Sequence, residues 1–178
     1  MPVRLSCEML LKYPLFRGLN ETECRQIADV ASTNDYGAGE VIVRQGERSQ
    51  DLWVVMEGQC EVIRYRDGAK AGEPLMLAVL ETPSHFGEMS FFHPAPHSAS
   101  VRARTDVKLL RIARVDYDDM IHEGIWAAYK LAYNSIEGLA DRLRRMDQWV
   151  AELMDKTPDD RVPEWTHFRD KVFKGWNL

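Results

Sequence analysis

The chain has 178 residues, 45% of them hydrophobic and 29% charged, enough for one domain with its own core and some appendages. Its net charge of −5 argues against a nucleic-acid surface, and no apolar run approaches membrane-spanning length. Cys7, Cys24 and Cys60 are few, odd in number and widely spaced, which is neither a disulfide framework nor a zinc pattern. Met1 to Glu8 lacks the basic and apolar blocks of a leader, so the expected compartment is the reducing cytoplasm.

Residues 1–35 read as a helical cap. Cys7 to Tyr13 is a short apolar-rich helix that should end before Pro14, because a proline disfavours helical geometry in the residue before it. Asn20 followed by Glu23 reads as a capping box opening a helix through about Ala31, with Cys24, Ile27, Ala28 and Ala31 on its inner face. Over 36–115 the pattern changes. Seven of the eleven glycines fall between Gly37 and Gly87, separated by short runs of Val, Ile, Leu and aromatics, which suggests a sandwich or barrel. Ala99, Val101 and Ala103 alternate with Ser100, Arg102 and Arg104, as in a strand with one buried face.

Between these strands, Gly87 and Glu88 open what reads as a single helical turn. A helix N-terminus presents unpaired N–H groups to an anion, the glycine lets the backbone approach a ligand closely, and the carboxylate can accept from sugar hydroxyls. Residues 116–155 then switch to helical period. Ile125, Tyr129, Ala132, Ile136, Leu139, Leu143, Met146, Val150 and Leu153 recur at alternating steps of four and three, an a/d seam. A helix over that stretch is about 43 Å long at roughly 1.5 Å per residue, too long for a small barrel to cover. The expectation is a homodimer through Ile125 to Leu153. Residues 156–178 are expected to be a short tail in which a helix starting at Pro163 would place Trp165, Phe168, Val172 and Trp176 on one face, docked on the protein itself.

Phe86-Gly87-Glu88-Met89-Ser90-Phe91-Phe92, followed by Pro96-His97-Ser98-Ala99-Ser100-Val101-Arg102-Ala103, resembles the phosphate-binding cassette of the cyclic-nucleotide-binding domains, as in the catabolite-activator group of bacterial regulators. Pro14 to Leu19 is similar to that family's entry motif, Gly37 to Glu47 to a strand and turn, Leu52 to Gly58 to the next strand, and Leu109 to Ile112 to the last. The ordered motifs cover about residues 10 to 155. Two departures stand out. Pro83-Ser84-His85 replaces a common Gly-Asp-Phe, and His97 replaces the arginine that pairs with the cyclic phosphate.

The resemblance implies a mainly β fold with flanking helices: an eight-stranded antiparallel jelly-roll-like β-barrel with N-terminal helices and a long C-terminal dimerisation helix. It implies a cyclic nucleotide, cAMP or cGMP, between barrel and long helix. Gly87, Glu88, Met89, Ser90, His97, Ser98 and Ala99 would hold phosphate and sugar, and Val62 and Leu77 would line the base. Histidine cannot reproduce the planar, permanently charged fork of arginine, so binding should be weak. About two dozen residues follow the helix, fewer than the ~50 of an independent DNA-reading domain, so a stand-alone cytoplasmic signalling sensor that binds neither DNA nor membrane is expected, acting on an unidentified downstream protein. Two rival readings remain open. One is a ligand-free homodimeric interaction module, and the other a cupin-like metal site at His85, Glu88, His93 and His97. No nucleophile–base or Walker-type arrangement appears, so an enzyme is not expected.

Overall fold

Ser6 opens the chain's first helix, α1 (Cys7–Leu10), its hydroxyl accepting from the Met9 N–H. The computed structural model describes residues 5–65 and 74–155. Helix α1 stops earlier than Tyr13 because the chain tightens into successive turns and enters a 3-10 turn, Pro14–Phe16, with the proline at its first position. The Asn20–Glu23 capping box is present. The Asn20 side chain accepts from the Glu23 N–H at 2.9 Å and the Glu23 carboxylate accepts from the Asn20 N–H at 2.8 Å, opening α2 (Glu21–Val30).

Eight strands follow: β1 (Ala31–Tyr36), β2 (Val41–Val43), β3 (Asp51–Glu57), β4 (Gln59–Tyr65), β5 (Pro74–Glu81), β6 (His85–Phe86), β7 (Ser100–Ala103) and β8 (Val107–Ala113), with α3 (Glu88–Phe92) between β6 and β7. They form two antiparallel four-stranded sheets, β1-β8-β3-β6 and β2-β7-β4-β5. The fold is mainly β with flanking helices, as expected, but the sheets do not close into a barrel. Strand β2 has three residues and β6 two, and register shifts at 41/43, 55/57 and 62/63 interrupt the ladders. Two sheets sharing one apolar filling satisfy burial without closure.

The period-two pattern of β3 and β8 serves two clusters. Leu52, Val54, Leu110 and Ile112 join Leu10, Leu15, Phe16, Ile27, Phe91, Met120 and Leu131 on the helix side. Trp53, Val55, Val107 and Leu109 join Val43, Cys60, Phe86, Val101 and Ala103 between the sheets. Helix α4 (Arg114–His122) follows, then α5 (Trp126–Asp155). The start of α5 is held by the cap: Lys130 Nζ donates to Gly18 O at 2.9 Å and to Glu23 Oε2 at 2.7 Å, and Asn134 Nδ2 donates to Leu15 O and Arg17 O at 2.9 and 3.0 Å.

The chain divides into two compact units, Met1–Ile136 and Glu137–Leu178. The aromatic tail expected over 156–178 lies outside the described residues. Among the described residues, no helix is long and apolar enough to cross a membrane. The cysteine expectation is overturned: Cys7 and Cys24 are disulfide-bonded, with Cα atoms 5.1 Å apart. Their sequence separation of 17 conceals the proximity, which arises because the turns before Asn20 bring α1 back beside α2.

Candidate functional site

The first arm of the candidate cassette is set by one glycine. Gly87 caps α3 with φ 92°, and a Cβ built there would lie 2.3 Å from the carbonyl oxygen of Asp51. Only glycine tolerates both the left-handed backbone and that approach. Helix α3 then buries Glu88 and Ser90 and leaves Met89 exposed. Phe91 is fully buried, edge-on to Phe92 and Tyr117. Its carbonyl accepts from Arg114, whose guanidinium also lies over the Phe91 and Tyr117 rings and pairs with Asp118. The cassette's helical arm is thereby tied to the start of α4.

The second arm carries His97, which is buried at 7% exposure. Its Nε2 lies 2.8 Å from Ser49 Oγ, its backbone N–H donates to Glu47 O at 2.9 Å, and its carbonyl accepts from the Gly46 N–H at 2.9 Å. Desolvation lowers its pKa below the ordinary histidine value, against the opposing effects of Ser49, Glu47 and Asp51. Near neutral pH the ring is therefore an uncharged hydrogen-bonding group rather than a cation. Ser98 is exposed and Ala99 half-buried, while Ser100 Oγ accepts from the Gln45 N–H at 2.9 Å.

The two arms meet on one segment, 45–51, which the sequence reading did not assign to the site. Gln50 Nε2 donates to Ser90 O at 3.2 Å on one side, Ser49 meets His97 on the other, and Asp51 O seats Gly87. Asp51 is itself fixed by Arg111, with Nε at 2.9 Å and Nη2 at 2.8 Å, and Arg111 lies over the Trp53 ring. The Gly46-Glu47 turn was visible as a motif, but nothing local marks Ser49 or Gln50 as partners of residues 40 to 48 positions away.

The two residues expected to line the base differ in burial. Val62 is half-buried against the inter-sheet cluster, opposite Ala78 on β5 and Val101 on β7. Leu77 is 50% exposed on the edge strand β5, at the residue skipped by the register shift between Val62 and Ile63. The alternative metal tetrad is not assembled: among the described residues, no group of three or more His, Cys, Asp or Glu side chains is placed to hold a metal ion.

A family model described as the cyclic nucleotide-binding domain matches residues 33–123. The chain is similar to the cyclic AMP receptor protein of Thermus thermophilus, 34% identical over 149 residues that cover 84% of this chain and 66% of that one. The solved structure of the Thermus thermophilus catabolite activator protein superposes with a TM-score of 0.69 at 33% identity, covering 79% of this chain and 63% of that one. The regulatory subunit of a cAMP-independent protein kinase A from Trypanosoma cruzi, bound to guanosine, superposes with a TM-score of 0.58 at 27% identity, covering 75% and 48%. Among eight curated relatives, the chain spans between 17% and 66% of their lengths.

Proposed function

Because the chain belongs to the family of cyclic nucleotide-binding domains, we propose that it is a regulatory, non-catalytic sensor that binds a cyclic nucleotide, cAMP or cGMP, weakly at the cassette. The observation that carries this reading is the joining of both arms, Gly87–Ser90 and His97–Ala99, on the segment 45–51. In this reading Glu88 accepts from the sugar, the N–H groups near Ser90 and Ala99 meet the phosphate, and Val62 and Leu77 flank the base.

The exchange of arginine for a neutral His97 removes a charge-assisted bond worth about 1.5–3 kcal/mol, roughly tenfold to a hundredfold in affinity. A second reading, a module that binds no nucleotide, draws on the His97–Ser49 bond, which occupies the ring without any ligand. The similarity to a guanosine-bound, cAMP-independent relative adds an uncharged nucleoside to the candidate ligands. Calorimetric titration with cAMP, cGMP and guanosine tests all three. Cyclic-nucleotide affinity that tightens about tenfold or more in His97→Arg at pH 7.5 supports the sensor. Guanosine binding alone would replace the ligand, and heat from none of them, in either protein, would leave the interaction module.

We extend the proposal to assembly: two copies pair through α5, and the protein works in the cytoplasm on a further protein, without binding DNA. Tyr129, Ile136, Leu143, Met146 and Leu153 stand at heptad spacing and are 45%, 62%, 47%, 56% and 43% exposed. An apolar stripe of that extent favours a partner surface. Light scattering should give a dimer, and Ile136→Asp with Leu143→Asp a monomer; a monomeric parent protein would remove this part of the proposal.

A further inference from the structure

Cys7 is the first residue of α1 and Cys24 lies one turn into α2, and the bond between them closes the segment 8–23. That segment holds the first turns of α5. Leu15 O and Arg17 O accept from Asn134, and Gly18 O and the Glu23 carboxylate accept from Lys130. Leu15, Phe16 and Leu19 pack in the same cluster as Ala127, Ala128 and Leu131.

The two cysteines differ in exposure. Cys24 is 2% exposed, whereas Cys7 is half-buried, and a cavity of about 270 Å³ lined by Leu5, Ser6, Cys7, Glu21, Cys24 and Arg25 lies beside them. Cys60 is the contrasting case: it is free and fully buried between the sheets, and desolvation pushes its thiol up to about 11. A thiol in that state supplies almost no thiolate and does not react.

We propose that Cys7 and Cys24 form a reversible thiol–disulfide exchange site, a redox clasp on the loop that holds the first turns of α5. In the oxidising direction the Cys7 thiolate attacks one sulfur of a low-molecular-weight disulfide such as oxidised glutathione and expels one thiolate. The Cys24 thiolate then attacks the Cys7 sulfur of the mixed disulfide and expels the second. The two cysteine thiols give up two electrons and two protons, and the small disulfide leaves as two thiols. Reduction runs the same path backwards, entering at the sulfur of Cys7, the more exposed of the two residues. Closing the loop removes conformations in which residues 15–23 leave α5, so the oxidised form holds the helix start more firmly. The clasp acts on the frame of the domain and needs no nucleotide.

The test uses the full chain equilibrated in oxidised and in reduced glutathione, with thiols counted by alkylation and mass spectrometry and opening read by amide hydrogen exchange. Two thiols, those of Cys7 and Cys24, should appear only in the reduced sample. Exchange at 126–136 should then speed up by about tenfold, the scale of a local opening made easier without global unfolding. Cys7→Ser should show the fast rate in both buffers, and Cys60→Ser should keep the full redox response. Failure of the disulfide to form in oxidised glutathione, or a formed disulfide that leaves exchange at 126–136 unchanged, would overturn the proposal. The reduced parent protein provides the same comparison without any substitution.

Discussion

On β3 and β8, neighbouring side chains belong to two cores of different construction. Leu52, Val54, Leu110 and Ile112 face helices, and that core is ringed by polar anchors: Lys130 and Asn134 of α5 bond to the cap, and Arg114 of α4 bonds to α3. Trp53, Val55, Val107 and Leu109 face the other sheet, where the filling is stacked aromatics and small strand residues. There the buried Trp53 indole N–H has no acceptor, and the edge strand β5 exposes Leu75, Met76, Leu77 and Val79. The helix-side core holds the frame. The inter-sheet core carries Phe86 and Trp53, directly beside Gly87, so its packing sets the cassette.

The sharpest test of that division is a pair of neighbours. Leu109→Ala and Leu110→Ala each remove a side chain at most 1% exposed, and each should cost about 2–5 kcal/mol in urea unfolding. Leu109→Ala should shift the amide resonances of Trp53, Phe86 and Gly87, and Leu110→Ala those of Phe91 and Phe92; the same set of shifts in both would merge the two cores into one. Gly87→Ala comes next. Left-handed strain and the collision with Asp51 O together should cost about 2–4 kcal/mol, and the proposed nucleotide binding should be lost with the geometry of the Gly87 turn. An unfolding midpoint matching the parent protein would show that the 45–51 segment yields freely.

Lys130→Met probes the frame. It leaves the buried Glu23 carboxylate without its cation and should cost about 1–3 kcal/mol. Burial pushes the Glu23 pKa up, but the Lys130 and Asn20 hydrogen bonds and the Lys130 charge prevail and hold it below the ordinary carboxylate value. A depressed carboxyl stabilises the fold above its unfolded pKa and loses that contribution as pH falls through the folded one. The parent protein should therefore lose stability below about pH 4.5, and Lys130→Met should flatten that loss. Identical acid unfolding curves would detach Glu23 from the effect.

The smallest expected effect belongs to His97 and has two signs. With its folded pKa lowered by burial, the unfolded chain binds more protons just below pH 6.5, so stability should fall as pH drops through that value toward the folded pKa. His97→Gln should remove that slope. If a bound phosphate recruits the protonated ring, nucleotide affinity should instead rise over the same fall in pH. Affinity independent of pH would leave the phosphate to backbone N–H groups alone.

The helix starts, the strand periodicity and the glycine of the cassette were legible in the sequence because they rest on contacts within a few residues. Asn20 and Glu23 cap one another across three positions, and Gly87 is demanded by its own backbone angle. The alternation Ser100 to Ala103 likewise states which side chains share a face. What only the tertiary structure decided depends on groups brought together from afar. Strands as short as β2 and β6 left two open sheets where a jelly-roll-like barrel was expected, and a register shift put Leu77 at an exposed edge. Ser49 reaches His97 across 48 positions, and Cys7 reaches Cys24 only once the cap has turned back on itself. Local spacing cannot encode such meetings, because they follow from how sheets and helices bury their apolar faces against each other.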